Sequence, residues 1–257
     1  MLALISPAKK LDFETTATLP AYSQPTFLER AEALVTKARK LSRAQLAGTM
    51  KLSDKLTELN FQRFRDFTTP FDLSNAKQAA LVFNGDTYVG LEARSLSGDD
   101  MAYAQEHLRI LSGLYGILRP LDLIQPYRLE MGAKFAAPGN TDLYGYWNGE
   151  LAGAINAATT SHKDNTVVNL ASNEYFKAVD AKKLDGQVIT PVFKEIKDGQ
   201  ARVLGMFAKR ARGAMARFMI KKRIEAPAGL KKFKDGGYKF QAELSDDTNW
   251  VFTRPQP

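Results

Sequence analysis

Cysteine is absent from this chain of 257 residues, and histidine occurs only twice, as His107 and His162. Without cysteine there is no disulfide, no thiolate nucleophile and no cysteine-ligated zinc or iron–sulfur cluster. Two histidines are also too few for a multi-histidine metal site. The sequence therefore predicts a protein with no resident metal and no cofactor.

Long apolar runs are missing as well, so no segment is expected to span a bilayer. Met1 leads into LALISPAKK, which resembles a strand and lacks the basic start and long apolar centre of a signal peptide. We therefore expect a cytoplasmic protein with no membrane partner. Because there is no Ser/Gly linker, low-complexity tract or internal repeat, residues 1–257 are predicted to form one compact domain.

Positive charge, in contrast, is abundant, with a formal net charge of +8 and a pI near 9.5. Residues 199–223 contain no acidic residue and eight basic ones: Arg202, Lys209, Arg210, Arg212, Arg217, Lys221, Lys222 and Arg223. Such a field attracts polyanions, and nucleic acid is the commonest polyanion in cytoplasm. A basic face that is merely solvated is the alternative.

The pattern of residues 207–223 favours nucleic acid over simple solubility. At 100° per residue, one side of this predicted helix carries Phe207, Ala211, Ala214, Met215 and Phe218. The other side carries Lys209, Arg210, Arg212, Arg217, Lys221 and Arg223. A solubilising face usually mixes both signs of charge, whereas a membrane-surface helix would carry Trp or Leu opposite the cations.

Helical and strand-like segments alternate along the chain. Helices are predicted near residues 26–41, 54–65, 99–111, 143–158, 172–177 and 207–223. Strands are predicted at the N-terminus, in residues 78–90 up to an Asn-Gly-Asp turn, and in 165–172, 187–196 and 201–207, with a closing pair at 238–244 and 249–254. This alternation predicts an α/β (mixed α+β) fold in which helices surround a mixed sheet.

The stretch LSGLYGILRPLDLIQPYRLEMG, residues 111–132, follows a predicted helix with glycine, proline and arginine. Two glycines and a short second helix would form a helix-hairpin-helix element, whose free N–H groups hold phosphate. The match is imperfect because Ser112 stands where this hairpin usually has proline. A plain connector and an active-site wall built from Arg119, Arg128 and Glu130 are the alternatives.

Polar residues follow three predicted strands, where active sites of α/β proteins tend to lie. The clusters are Ser6, Lys9 and Lys10; Asn84, Asp86 and Tyr88; and Asn169, Ser172, Glu174 and Tyr175. If they converge, Glu174 or Asp86 is a candidate general acid/base and Lys9 a candidate phosphate ligand or nucleophile. Such a set suits cleavage of an N-glycosidic bond or another reaction on a nucleotide. A purely structural role, with Ser172 as a helix N-cap, is the alternative.

Five motifs together resemble the YaaA family of bacterial peroxide-stress proteins. They are LISPAKKLD, KLSDKL, FNGDTYVGL, the whole of residues 111–132, and NLASNEYFK, which are spread over nearly the full chain. The resemblance implies a cytosolic α/β protein with a basic cleft, DNA binding through a helix-hairpin-helix element, and protection from peroxide linked with lowered free intracellular iron. By this resemblance the hairpin is Ser112, Gly113, Leu114, Tyr115 and Gly116, and Lys209, Arg210 and Arg212 contribute to the cleft.

Direct iron chelation is not expected. A chelating helix would need carboxylate and histidine ligands at helical spacing, as in Glu-x-x-His. His107 follows Gln105 and Glu106 directly, so these three side chains do not face one metal, and His162 is predicted to lie in a loop. Any effect on cellular iron is therefore predicted to be indirect.

The leading hypothesis is a DNA-binding protein of the peroxide response that recognises DNA shape rather than sequence, since no base-contacting helix is visible. Its predicted contacts are Ser112, Gly113, Leu114, Tyr115, Gly116, Lys209, Arg210, Arg212, Arg217 and Lys221. The alternative is an enzyme acting on a nucleotide or nucleic-acid base through Lys9, Asp86 and Glu174. A protein-interaction module has no positive feature in its favour.

Overall fold

Short apolar segments distributed along the chain form the strands of a central sheet. The structure is a computed structural model that describes residues 1–16 and 19–257. Its strands are β1 (Leu2–Ile5), β2 (Lys77–Gln78), β3 (Leu108–Ser112), β4 (Gly116–Leu118), β5 (Leu123–Ile124), β6 (Val167–Leu170), β7 (Val188–Lys197), β8 (Gln200–Arg202), β9 (Lys239–Phe240) and β10 (Asn249–Pro255). The strands β1, β3 and β6 are buried along their whole length, as expected for parallel strands covered on both faces.

The main sheet has eight strands in the order β4-β3-β1-β6-β7-β10-β9, with β8 paired to β7 outside this path. Its central strands β3, β1, β6, β7 and β10 run parallel, and β4, β8 and β9 pair antiparallel at the periphery. The predicted α/β fold with a mixed sheet is thus confirmed. Because Ile5 lies opposite both Ile110 and Leu170, β1, β3 and β6 end at the same edge of the sheet.

Helices connect most of the strands. They are α1 (Leu28–Arg39), α2 (Arg43–Met50), α3 (Asp54–Asp66), α4 (Ala79–Val82), α5 (Asp86–Leu91), α6 (Gly98–His107), α7 (Leu143–Trp147), α8 (Glu150–Thr159), α9 (Asn173–Phe176) and α10 (Gly205–Lys222). The helices predicted at residues 26–41, 54–65, 172–177 and 207–223 are confirmed as α1, α3, α9 and α10. The helix predicted at 143–158 is two helices, α7 and α8, separated at Gly149, where φ is +82°.

Several predicted strand and helix limits were wrong. Residues 78–90 form mainly the helices α4 and α5, because a short run of buried apolar residues has the same periodicity in either structure. In 201–207 the strand β8 ends at Arg202 and α10 begins at Gly205. The helix predicted at 99–111 ends at His107, since Leu108–Ser112 completes the sheet as the fully buried strand β3.

A glycine-mediated contact brings α5 and α10 together. A Cβ atom at Gly213 of α10 would lie 1.8 Å from the carbonyl oxygen of Thr87, and one at Gly90 of α5 would lie 2.0 Å from that of Arg210. Only glycine permits this approach, because any side chain would overlap the opposing backbone. The crossing sets the distance between Asp86, at the start of α5, and the cations of α10.

The core is continuous from β1 to the aromatic side chains near the C-terminus, as expected for one domain. Trp147, Phe193, Phe233 and Phe252 are all buried in it. The helix α10 packs against β1, β6 and β7, so its apolar side contributes to the same core. In the described part of the chain, no helix combines the length and the apolar character needed to cross a membrane.

Candidate functional site

A cleft of about 780 Å³ lies at the edge where β1 and β6 end. Its walls come from the residues after β1, the start of α5, residues 127–130, the start of α9 and one side of α10. The three polar clusters predicted from the sequence meet here, because Lys9, Asp86 and Glu174 all line this cleft. The volume is within the range of pockets that take small molecules or cofactors.

Backbone hydrogen bonds hold the first two walls together. The N–H of Asn84 donates to the carbonyl oxygen of Lys10 at 2.9 Å, and the N–H of Asp12 donates to that of Val82 at 2.7 Å. The residues before α5 are therefore bound to the segment that follows β1. This explains how Asp86 comes to line the same cleft as Lys9 and Lys10 although they are far apart in sequence.

Two serines join the ends of β1 and β6 at the base of the cleft. The Ser172 N–H donates to Ser6 Oγ at 2.9 Å, and Ser6 Oγ donates to Ser172 Oγ at 3.3 Å. Ser172 occupies the N-cap position of α9 as predicted, but its side chain makes no capping hydrogen bond. Its hydroxyl instead belongs to the cleft. Nearby, the Tyr88 hydroxyl donates to the Ser6 carbonyl oxygen at 3.1 Å.

Tyrosines of the cleft are neutral at ordinary pH. Burial raises the pKa of Tyr88, Tyr127 and Tyr175 above the usual value of about 10. The Tyr127 hydroxyl is also hydrogen-bonded to Ser112 Oγ at 2.7 Å. These side chains therefore supply aromatic surface and neutral hydroxyl groups and do not act as bases in the resting protein.

Two further carboxylates, those of Glu130 and Glu174, line the cleft. Glu130 Oε1 lies 3.0 Å from Lys9 Nζ and 3.0 Å from Arg128 Nη2. Glu174, in the first turn of α9, accepts a hydrogen bond from the N–H of Gly132 at 3.0 Å. The candidate catalytic group Lys9 is thus already paired with a carboxylate.

Four of the six cations predicted to form the basic face of residues 207–223 are paired with carboxylates. Arg210 lies 3.5 Å from Asp86, and Arg217 lies 3.8 Å from Glu92. Asp100 of α6 receives both Lys221, at 2.8 Å, and Arg223, at 3.0 Å. The predicted unopposed basic face is therefore largely neutralised by carboxylates from α5 and α6 and the residue after α5, which periodicity within α10 alone does not reveal.

Lys209 and Arg212 are different, because both line the cleft and neither has a carboxylate partner among residues 1–16 and 19–257. Lys209 is exposed and Arg212 is half-buried, and burial lowers the pKa of Arg212. Lys10 on the facing wall is likewise exposed and forms no ion pair with the described residues. Three cations without a carboxylate partner in the described residues therefore line the cleft, whereas Lys222 of the same helix is exposed outside it.

The predicted helix-hairpin-helix element is not present in residues 99–132. Ser112, Gly113, Leu114, Tyr115 and Gly116 form the buried turn between the antiparallel strands β3 and β4. The N–H groups of Leu114 and Tyr115 donate to Ser112 Oγ at 3.2 and 3.0 Å. Because the turn is buried and these donors are already used, it is not placed to hold a DNA phosphate, and this prediction was wrong.

The third alternative for residues 111–132, an active-site wall, agrees with the structure in part. Arg128 and Glu130 line the cleft, whereas Arg119 instead binds Asp122 at 3.0 Å and lies outside it. The segment reaches the cleft because the carbonyl oxygen of Leu129 would lie 2.3 Å from a Cβ at Gly113. Gly113 thus serves close packing of two backbones rather than phosphate binding.

The two histidines lie together, away from the cleft lining. His107 stacks on His162 with ring centroids 4.3 Å apart, and His107 Nδ1 is 2.9 Å from the carbonyl oxygen of Met1. Burial lowers the pKa of His162 to about 4. Within the residues that the structure describes, no three His, Asp or Glu side chains are grouped closely enough to hold a metal ion.

Fold and cleft together define a mixed α/β protein with a cleft, lined by cations and carboxylates, at the carboxyl ends of parallel strands. A family model described as peroxide stress protein YaaA matches residues 1–244. The chain is 53% identical to UPF0246 proteins of Alteromonas mediterranea and Magnetococcus marinus, over 256 and 254 residues, and 50% identical to one of Ralstonia nicotianae over 254 residues. These matches cover 99 to 100% of this chain and 99% of each relative. The chain belongs to the YaaA family of peroxide stress proteins, which confirms the resemblance of its motifs.

Proposed function

We propose that this member of the peroxide-stress family is a cytoplasmic DNA-binding protein that holds a phosphate-bearing segment in the cleft described above. The observation that carries the proposal is the selective pairing of cations on α10. Carboxylates neutralise Arg210, Arg217 and Lys221, whereas Lys209 and Arg212 in the cleft remain without a carboxylate partner in the described residues. Lys222 is also unpaired there, but it lies at the end of α10 outside the cleft lining.

The state of Arg212 supports the same proposal. A half-buried guanidinium group without a carboxylate partner has given up part of its hydration and has no ion pair in return. A phosphate in the cleft would supply that partner, and arginine binds phosphate with two parallel hydrogen bonds. Lys209, one turn earlier on α10, and Lys10 on the facing wall would add charge without reading the base sequence.

Binding is therefore expected to depend on salt and little on sequence. In the proposed role, lowered free iron is an indirect consequence of this activity, since the proposal includes no iron ligand. Tight stoichiometric binding of Fe(II) by the pure protein would contradict that part of the proposal.

The test is the affinity for short DNA as a function of salt, comparing wild type with Lys209→Glu/Arg212→Glu. We expect the wild-type affinity to fall steeply with log[salt]. The variant should bind more weakly, with a slope shallower by about two units, one for each phosphate that the protein no longer neutralises. The matched control is Lys222→Glu/Lys232→Glu, which makes the same charge change at exposed residues outside the cleft lining.

Equal reductions of affinity in the two variants would mean that net charge, and not the cleft, determines DNA binding, and the proposal would fail. Absence of DNA binding by wild type at moderate salt would have the same consequence.

A second function, that of an enzyme acting on a nucleotide or nucleic-acid base, is favoured by one specific observation. Lys9, Asp86 and Glu174 come from three distant parts of the chain and line one cleft. General acid/base and phosphate-binding groups at the carboxyl ends of parallel strands are the arrangement that such chemistry requires.

A further inference from the structure

The carboxylate of Glu130 has two oxygens in very different surroundings. Oε1 receives both Lys9 and Arg128, whereas Oε2 has no hydrogen-bond partner among the described residues and almost no contact with solvent. Such an oxygen is removed from water without a donor in its place, which costs free energy. Buried acceptors in this state are uncommon in native proteins and call for a physical explanation.

The two cations explain why the carboxylate is there but not why one oxygen is unused. Arg128 Nε also donates to Oε1, at 3.1 Å, so the donors of both side chains converge on the same atom. The terminal torsion of a glutamate is soft and moves both oxygens together, so a small turn brings Oε2 toward the cleft while the long side chains of Lys9 and Arg128 follow Oε1. A hydrogen-bond donor brought by a ligand would then satisfy it while Oε1 keeps its cations.

The distribution of charge in the cleft restricts the class of ligand. The helix α10 contributes Lys209 and Arg212, which suit an anion, and residues 127–130 contribute Glu130, which suits a hydrogen-bond donor. Tyr88, Tyr127 and Tyr175 also line the cleft, and the small exposed part of each ring offers aromatic surface that a base can contact. A nucleotide combines all three features, as it carries a phosphate, an aromatic base, and donors on the base edge and the sugar.

We infer that Glu130 is the residue that recognises the non-phosphate end of a single nucleotide unit in the cleft, by accepting a hydrogen bond on Oε2 from its base or its sugar. This rests on the proposed function in one respect, namely that the phosphate binds at Lys209 and Arg212. It adds a specificity residue and a ligand that is small enough to bind as a free mononucleotide.

The experiment is calorimetric titration of wild type, Glu130→Gln and a control with AMP, GMP, CMP, dTMP and ribose 5-phosphate, with inorganic phosphate followed by ³¹P NMR. The control is Glu58→Gln, because Glu58 is also paired with an arginine, Arg43, but lies on the exposed surface of α3. We expect Glu130→Gln to weaken the binding of at least one mononucleotide by roughly ten- to a hundredfold, the effect of removing one charged hydrogen bond. Phosphate affinity of Glu130→Gln should equal or exceed that of wild type, because the substitution removes a negative charge from the cleft, and nucleotide affinity of Glu58→Gln should match that of wild type.

The different ligands distinguish a hydrogen-bond donor on the sugar from one on the base. Ribose 5-phosphate affected as strongly as the nucleotides would place the hydrogen bond on the sugar, whereas an effect confined to one or two bases would place it on the base edge. Either result supports the inference, and phosphate affinity that is retained or increased shows that the variant is folded with its anion site intact.

Nucleotide affinity that is unchanged in Glu130→Gln, or reduced together with phosphate affinity, would overturn the inference. So would the failure of every mononucleotide to bind wild type. In that last case DNA affinity that still depends on Lys209 and Arg212 would leave the proposed function standing, while absence of both kinds of binding would remove it as well.

Discussion

Single residues decide how much of the positive charge of this protein is available to a ligand. Asp100 is the clearest case, because its buried carboxylate forms ion pairs with Lys221 and Arg223. The same carboxylate also accepts a hydrogen bond from the N–H of Ser97, the N-cap residue of its own helix. The hydrogen bond from Lys221 is the main reason that the pKa of Asp100 lies well below its usual value of about 4. Two cations predicted to contact nucleic acid or lie near it therefore stabilise the contact of α10 with α6 instead.

This pairing predicts how stability depends on pH. Because the folded pKa of Asp100 is lowered, its contribution is fully present above the unfolded pKa of about 4 and is lost as pH falls toward the folded value. Asp100→Asn should therefore reduce the free energy of unfolding at pH 7, and the difference from wild type should shrink between about pH 5 and pH 2. Urea denaturation over that range measures it.

The matched control for this prediction is Asp99→Asn, which changes the neighbouring carboxyl group in the same helical turn, one that makes no ion pair with α10. Similar pH profiles for the two variants would show that the ion pairs with α10 add nothing to stability.

At the scale of elements, the crossing of α5 and α10 determines whether the cleft exists in its observed form. Gly90 and Gly213 let the two helices approach until backbone contacts backbone, and this places the start of α5 opposite Lys209 and Arg212. The same crossing brings Arg210 within 3.5 Å of Asp86. Small residues in YVGL and ARGAM thus have a direct consequence for the site, although neither glycine binds a ligand.

Gly213→Ala should lower the free energy of unfolding by about 1–3 kcal/mol, because the added methyl group overlaps the Thr87 carbonyl oxygen and forces the helices apart. The control is Gly153→Ala in α8, where no atom lies within 4 Å of the new Cβ and alanine should stabilise the helix by about 0.5–1 kcal/mol. The midpoints of thermal and urea denaturation should therefore fall for Gly213→Ala and rise for Gly153→Ala. A Gly213→Ala variant as stable as wild type would mean that the crossing adjusts without cost.

Sequence patterns predicted the elements whose periodicity is long and regular, and failed where a local pattern had more than one solution. The helices α1 and α10 and the strands β6 and β7 were predicted because each has a clear period and a defined end. Residues 78–90 and 99–111 were wrong because a short apolar run fits a helix or a strand equally well, and tertiary packing decides between them.

The residues of the site that come directly after a strand could be predicted from the sequence. The order of polar residues after β1 and β6 pointed to Lys9 and Glu174, and both line the cleft. Ion pairs across elements, such as Lys9 with Glu130, depend on contacts between distant segments that no periodicity contains. For the same reason the buried turn at residues 112–116 resembled a phosphate-binding hairpin until its neighbours were known.

For the whole molecule, a net charge of +8 is a poor guide to where an anion binds. Pairing removes half of the positive charges on α10, and among the described residues the cleft is lined both by cations without a carboxylate partner and by carboxylates. The DNA-binding and the enzymatic hypotheses both place phosphate on the same cations. They differ in whether a cleft carboxylate such as Glu174 is needed for function. Replacing such a carboxylate and measuring the survival of cells therefore distinguishes the two functions.

Glu174→Ala provides this comparison when the variant is expressed in a strain that lacks the chromosomal copy of the gene and the survival of the cells in peroxide is measured. Removing the carboxylate takes a negative charge from the cleft and one hydrogen bond from Gly132, so a DNA-binding protein should keep both its DNA affinity and its protection of cells. Lys209→Glu/Arg212→Glu should lose both, and Glu106→Ala, at an exposed position of α6 outside the cleft, should lose neither. DNA affinity that is retained while protection is lost in Glu174→Ala would instead identify that carboxylate as a catalytic group and the protein as an enzyme acting on a nucleotide or a nucleic-acid base.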